Sequence, residues 1–247
     1  MNTKKLFSTV AFAALSALGA PASMAAPQVF FGETLGLGEG TRLATFANAT
    51  NARNSFLSNL TGVGTESFES YANFTAAPLA ISFAGAGTAT LTGTGNVDST
   101  APGATNGVGR YATDGNKYWE ASGVFGITFS APVAAFGFMG IDIGDFAGQV
   151  TVTTVNGGPT VYNVGNTVSG LGGGVLFWGV IDTAGFTSIS FGNTQPGTDF
   201  FAFDQMTIGS IQQVTPVPEP ETYAMLLAGL GLMGFVARRR QKRALAA

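Results

Sequence analysis

From Glu66 onward the hydrophobic and polar positions of this 247-residue chain recur with a period of two. "SFESYANF" and "LAISFAGAGTATLTG" read as strands separated by turn residues, and "QVTVTTVNGGPTVYNV" as two strands about an Asn156-Gly157 turn. In "VFGITFSAPVAAFGFMGIDIGDF", Phe125, Ile127 and Phe129 alternate, Pro132 interrupts, and Phe136 and Phe138 resume, which predicts two strands around a turn. "GVLFWGVIDTAGFTSISF" and "DFFAFDQMTIGSI" complete about nine to eleven short strands with turns every 8–12 residues. That spacing predicts an all-β body, a β-sandwich or jelly roll. No fixed-period repeat points to a solenoid or propeller, and an outer-membrane barrel is disfavoured by the absence of paired aromatic girdles.

The period changes in three places. Between residues 26 and 64 the chain is polar and glycine-rich with one helical island, "NATNARNSFLSNLTG". There Ala52, Phe56, Leu57 and Leu60 share a face, Thr50 or Asn51 is placed to cap the start, and Gly62 to end it. A short amphipathic helix on the sandwich edge is expected. At the start, Lys4 and Lys5 precede an apolar stretch from Leu6 to Leu18 and then small residues. This is the layout of a secretory signal peptide over 1–25, with signal peptidase cutting after Ala25 or, alternatively, Ala22. At the other end, fifteen mostly apolar residues from Tyr223 to Ala237 lead into five cations within six positions. That stretch predicts a membrane helix over 222–237, short for a bilayer, with a basic tail over 238–243 held inside by its charge. The body then lies outside, from 65 to 212, joined to the tail by a linker over 213–217.

Composition removes whole classes of chemistry. There is no cysteine and no histidine, so thiolate and Ser-His-Asp catalysis, disulfides, and Cys- or His-ligated metals are all absent. Between Pro27 and Pro216 four cations stand against 12 of the 14 acids, a formal charge of −8. A body that acidic repels nucleic-acid phosphates, so no nucleic-acid partner is expected. Gly at 36 residues and charged residues at 10% suit a turn-rich β protein.

Pro218-Glu219-Pro220, the short apolar helix and the Arg238, Arg239, Arg240 cluster together resemble the PEP-CTERM sorting signal of exported bacterial proteins. The resemblance implies recognition by a membrane-embedded exosortase and cleavage near the Pro-Glu-Pro. It also implies transient tethering at the inner membrane, then a cell-surface or extracellular destination in bacteria that make exopolysaccharide. The two prolines keep this stretch extended and accessible. Residues 66–210, with "FGFMGIDIGDF" and the closing "DFFAFD", are similar to the body of many such proteins, which implies a lectin-like sandwich.

Acids are the only titratable groups numerous enough to form a site. Regular alternation puts Asp204 on the face of Phe200, Ala202, Met206 and Ile208, where a carboxylate needs a partner. Calcium is one candidate, and the resemblance to jelly-roll carbohydrate-binding modules would pair Glu69 with Asp204 through structural Ca2+. The alternative is a strand-end carboxylate bonded to backbone. Asp142 and Asp145 lie in a glycine-rich turn, where they either contact calcium or sugar or cap the turn. Tyr118 and Trp119, between turn residues, are placed to stack on a sugar, whereas Trp178 belongs to the core. Paired acids also raise glycoside hydrolysis, but no other residue supports it. The expectation is an exported, non-enzymatic protein bound to extracellular polysaccharide or part of a matrix, with a purely structural surface protein as the alternative.

Overall fold

A computed structural model describes residues 26–144, 148–194, 200–215, 227–235 and 238. The elements are β1 (Gln28–Thr34), α1 (Ala47–Leu57), β2 (Thr65–Glu66), β3 (Leu79–Phe83), β4 (Gly87–Ser99), β5 (Lys117–Ile141), β6 (Val150–Val155), β7 (Pro159–Asn163), β8 (Val175–Asn193) and β9 (Phe200–Gly209). A 3-10 turn, Ile211–Gln213, follows. The all-β expectation holds. All nine strands are hydrogen-bonded into one antiparallel sheet in the order β2-β9-β5-β8-β6-β7, with β1 added to β8 and the β3–β4 hairpin added to β5.

The layers are parts of one curled sheet. Ala202 of β9 pairs with Glu120 on one side and with Ile141 on the other, so opposite ends of β5 flank the same strand. Pro132 does not turn the chain back as its position suggested. Lacking an N–H, it falls where the β5–β8 ladder lapses between Thr128 and Val133, and the 25-residue strand bends through it. "SFESYANF" is not a strand either. Glu66 Oε1 accepts the Phe68 N–H at 2.5 Å, and both Phe68 and Phe74 adopt positive φ, so the chain folds into turns after β2.

Period-two alternation on the central strands serves two buried faces. Phe136, Phe138, Leu176 and Trp178 face an inner aromatic core with Phe125, Phe191 and Phe203, where Phe125 stacks on Phe191 at 4.8 Å and Phe138 on Phe203 at 5.0 Å. Met139, Ile141, Val175 and Phe177 face the second cluster, under α1. Gly137 of β5 is paired with Gly179 of β8, and a Cβ on either would press on the rings of Phe56 and Phe177. This glycine pair is the seat that admits Phe56, whose ring lies 5.6 Å from Phe30 and 5.5 Å from Phe177. Burying that one side chain contributes about 1.5–3 kcal/mol.

The helix begins at Ala47 rather than beside Thr50 or Asn51, with Phe46 at its N-cap and no side-chain cap, and Ser58 rather than Gly62 at its C-cap. Packing decides its start, because the Asn48 amide donates to the Glu33 carbonyl of β1 at 2.9 Å. β1 also shows that residues 26–64 are not an appendage, since the strand pairs with β8 over its whole length. The hydrogen-bonded body runs past 212 as well, through a Leu60–Val214 bridge. Among the described residues no helix is long and apolar enough to cross a membrane. Residues 227–235 of the expected membrane segment are helical with exposed side chains, as is Arg238. The expected signal peptide, Asp145, Pro218, Glu219, Pro220, Arg239 and Arg240 lie outside the described residues.

Candidate functional site

Glu69 and Asp204 do meet on one feature, the loop leading into β5, but each holds backbone N–H groups rather than a shared cation. Glu69 Oε1 accepts from the N–H of Asn116 at 2.7 Å and of Lys117 at 2.6 Å. Asp204 Oδ2 accepts from the N–H of Thr113 (2.7 Å), the N–H of Asp114 (3.0 Å) and the Thr113 hydroxyl (2.8 Å), while Oδ1 accepts the Gln205 N–H at 2.7 Å. Gly115 supplies the positive φ of the turn between the two anchors, and a Cβ there would strike the Glu69 carboxylate. Both Asp204 oxygens and Glu69 Oε1 are engaged by these donors, with which a calcium ion would have to compete. Among the described residues no three acids are grouped to hold a metal.

Regular alternation misplaces Asp204, for a local reason. On β5 the register steps from Gly137 to Met139 while β9 steps from Thr207 to Asp204, so β9 carries one extra residue, a bulge. Gln205 occupies it with φ 48°. The bulge shifts the phase: Phe203, Met206 and Ile208 enter the aromatic core, whereas Ala202 joins the second cluster. Asp204 is fully buried, and burial pushes its pKa up to about 7, hydrogen bonds from Thr113, Asp114 and Gln205 opposing the shift without cancelling it. Gln205 Nε2 donates to the Thr113 hydroxyl at 3.0 Å. Arg53 of α1 stands close enough to feel Asp114 and Asp204, its pKa lowered by burial, and its Nε is buried without a hydrogen-bond partner. Sequence reasoning did not single out Thr113, Gln205 or Arg53. The slip between apolar Phe201, Phe203 and apolar Met206, Ile208 was a readable sign of the bulge.

The other expected contacts are buried. Trp119 lies between Phe68 and Phe125, 6.2 Å from each, and Tyr118 is equally enclosed on the opposite face, donating to Asp98 Oδ2 at 3.4 Å. Burial raises the Tyr118 pKa. Both residues fall inside β5, which starts where the sequence suggested an exposed turn, so neither can stack on a ligand. Asp142 is buried at φ 67°, accepting the Gly173 N–H at 2.7 Å, with Arg110 Nη1 3.6 Å from its other oxygen. Arg110 in turn pairs with Glu120 at 2.8 Å.

Exposed aromatic rings stand elsewhere. Between β1 and α1 an open groove of about 450 Å³ is lined by Glu33, Asn48, Asn51, Ala52 and Ser55, with the β1 backbone at Phe31 and Gly32. It exists because Gly32 has no side chain, which lets the α1 backbone at Asn48 lie directly against β1. Phe31 borders the groove through its strand backbone, whereas its ring, 40% exposed, lies on the other face of the sheet beside Gly165. Phe74, on the turn after β2, is 77% exposed with φ 65°.

Comparison with protein-family models matches residues 216–240 to the PEP-CTERM protein-sorting motif. No curated protein and no solved structure matches the chain.

Proposed function

We propose that this chain, an exported protein carrying the PEP-CTERM protein-sorting motif and sorted by an exosortase, works outside the cell as a non-enzymatic binder of neutral extracellular polysaccharide. Its body is a lectin-like sandwich, and its basic tail tethers the precursor at the inner membrane until cleavage. The observation that carries the reading is the open groove between β1 and α1, lined by Glu33, Asn48, Asn51 and Ser55. Its amides and hydroxyl offer donors and acceptors to the hydroxyls of a sugar. The formal charge of −8 between Pro27 and Pro216 favours neutral over acidic chains. Binding in this groove does not draw on calcium, because Glu33, the acid in its lining, already accepts from the N–H and hydroxyl of Thr167.

The test is a glycan array probed with the full protein and with Asn51→Ala, with and without EDTA. Neutral glycans are retained by the parent, indifferent to EDTA, and held roughly 3- to 10-fold more weakly by the variant. Retention lost with EDTA, or unchanged by Asn51→Ala, overturns the groove assignment. Absence of any glycan binding leaves a purely structural surface role.

A further inference from the structure

We propose that Thr113 and Gln205 react with each other to form an intramolecular ester cross-link, with Asp204 as the proton carrier. The three groups are already in contact. The Thr113 hydroxyl donates to Asp204 Oδ2 at 2.8 Å, and the Gln205 amide nitrogen donates to the same hydroxyl oxygen at 3.0 Å. A nucleophile hydrogen-bonded to a base, with its electrophile within touching distance, is the arrangement that acyl transfer requires. Cδ is one bond from the nitrogen that already touches the hydroxyl oxygen, and rotation about the Cβ–Cγ bond of Gln205 is the motion that moves it toward that oxygen.

The step balances without any co-reactant. Thr113 Oγ1 adds to Gln205 Cδ as its proton passes to Asp204. The tetrahedral intermediate then expels the amide nitrogen, which takes the proton back from Asp204 and leaves as ammonia. One Oγ1–Cδ bond forms and one Cδ–Nε2 bond breaks, with no change of oxidation state. Arg53, whose charge acts on Asp204 and whose Nε is buried without an acceptor, supplies positive field for the developing oxyanion. Burial also raises Asp204 to about 7, which suits a group that must accept and return a proton near neutral pH. Asp114 and Gly115 are exposed, so the loop gives ammonia a way out.

Two features of the backbone favour chemistry over simple packing. Gln205 sits in a bulge at φ 48°, a conformation that non-glycine residues avoid, and that bulge turns its side chain and that of Asp204 to the same loop. The product ties β9 to the loop ahead of β5, joining segments distant in sequence in an exported chain that has no cysteine to form a disulfide.

Arg110 and Lys117 flank Thr113, so trypsin releases Tyr111–Lys117 as a small free peptide from a denatured, unlinked chain. The experiment compares intact mass and tryptic peptides of the full protein with those of Thr113→Val, Gln205→Met and Thr113→Ser, each checked for folding by circular dichroism. The expected parent is lighter by one ammonia, with Tyr111–Lys117 joined to the peptide containing Gln205. Thr113→Ser keeps the link, whereas Thr113→Val and Gln205→Met have full mass and a free peptide. Ammonia lost at Asn106-Gly107 or Asn156-Gly157 would lower the mass without joining peptides, so the joined peptide is the decisive reading. A parent that releases free Tyr111–Lys117 in full yield overturns the proposal, as does a link that survives Gln205→Met.

Discussion

Asp142 and Asp204 are two buried aspartates that perform the same mechanical task in different company. Each accepts backbone N–H groups from a glycine-containing loop, and each lies at or beside a residue forced into positive φ. Asp142 accepts from the Gly173 backbone with Arg110 at 3.6 Å, and Glu120 completes the ion network. Asp204 accepts from three backbone N–H groups with Arg53 nearby, and in addition from the Thr113 hydroxyl, which itself accepts from the Gln205 carboxamide. The difference teaches how to tell an anchor from a reactive group. A carboxylate bonded to backbone and cation can hold a loop, whereas one that also accepts from a hydroxyl in contact with a carboxamide can take that hydroxyl's proton.

The largest effect expected is at Asp142. Asp142→Ala removes the acceptor of Gly173 and leaves Arg110 with one carboxylate in place of two, which costs about 3–5 kcal/mol, the range for breaking a buried pair. Urea denaturation reads it as a lower midpoint at constant slope. Asp142→Asn, which keeps an acceptor oxygen and the backbone preference, loses less than half of that. If the alanine variant loses under about 1 kcal/mol, Asp142 is not the anchor that its contacts describe.

Acid titration separates the two aspartates next. The folded pKa of Asp204 is pushed up to about 7, against 3.8 as the ordinary value. A carboxyl raised on folding favours the native state when protonated. Its contribution is therefore complete below about pH 4 and is lost as pH rises through 7. Stability from this group should increase on acidification across that window by at most about 1.4 kcal/mol per pH unit. Arg53 and Asp114 share its surroundings and set the background. Asp204→Asn, uncharged throughout, should flatten the dependence when urea midpoints are compared between pH 4 and 7. Parallel profiles for parent and variant would show that Asp204 does not titrate there.

How much of this was legible in the sequence follows from what each feature depends on. Period-two patterning revealed β3 and β6 because those strands alternate against one buried face, whereas β7 was marked by the Asn156-Gly157 turn and β9, buried on both faces, by its apolar residues. The same patterning cut β5 in two at Pro132, since a proline reads alike whether a strand ends or bends. It also left Trp119 and Tyr118 as surface residues, because their burial depends on β4 and β9 covering β5 from either side, a long-range fact. Asp204 was rightly singled out as a carboxylate in need of partners, but those partners are Thr113 and Asp114, ninety residues away across a loop with no motif. The groove was invisible for a similar reason. Asn48, Asn51 and Ser55 line one only when α1 settles on Gly32 of β1.

The smallest effect is expected at Gln205, and it sharpens the contrast most. Gln205→Gly removes a left-handed strain of roughly 1–2 kcal/mol. It adds about 0.5–1 kcal/mol of chain entropy and forfeits a hydrogen bond to Thr113 of about 1 kcal/mol. In a Thr113→Val background, where no ester can form and the hydrogen bond is already gone, only the first two remain, so the change should lie between zero and about 1.5 kcal/mol of added stability. Asp142→Gly relieves the same kind of strain, at φ 67°, yet still loses the Gly173 acceptor and an Arg110 partner, so it should remain clearly destabilising. Paired urea melts of the two glycine variants decide the matter. A side chain that is held in strain and contributes little to stability is retained for what it reacts with. Should Gln205→Gly instead lose as much as Asp142→Gly, both residues are anchors and the distinction between them disappears.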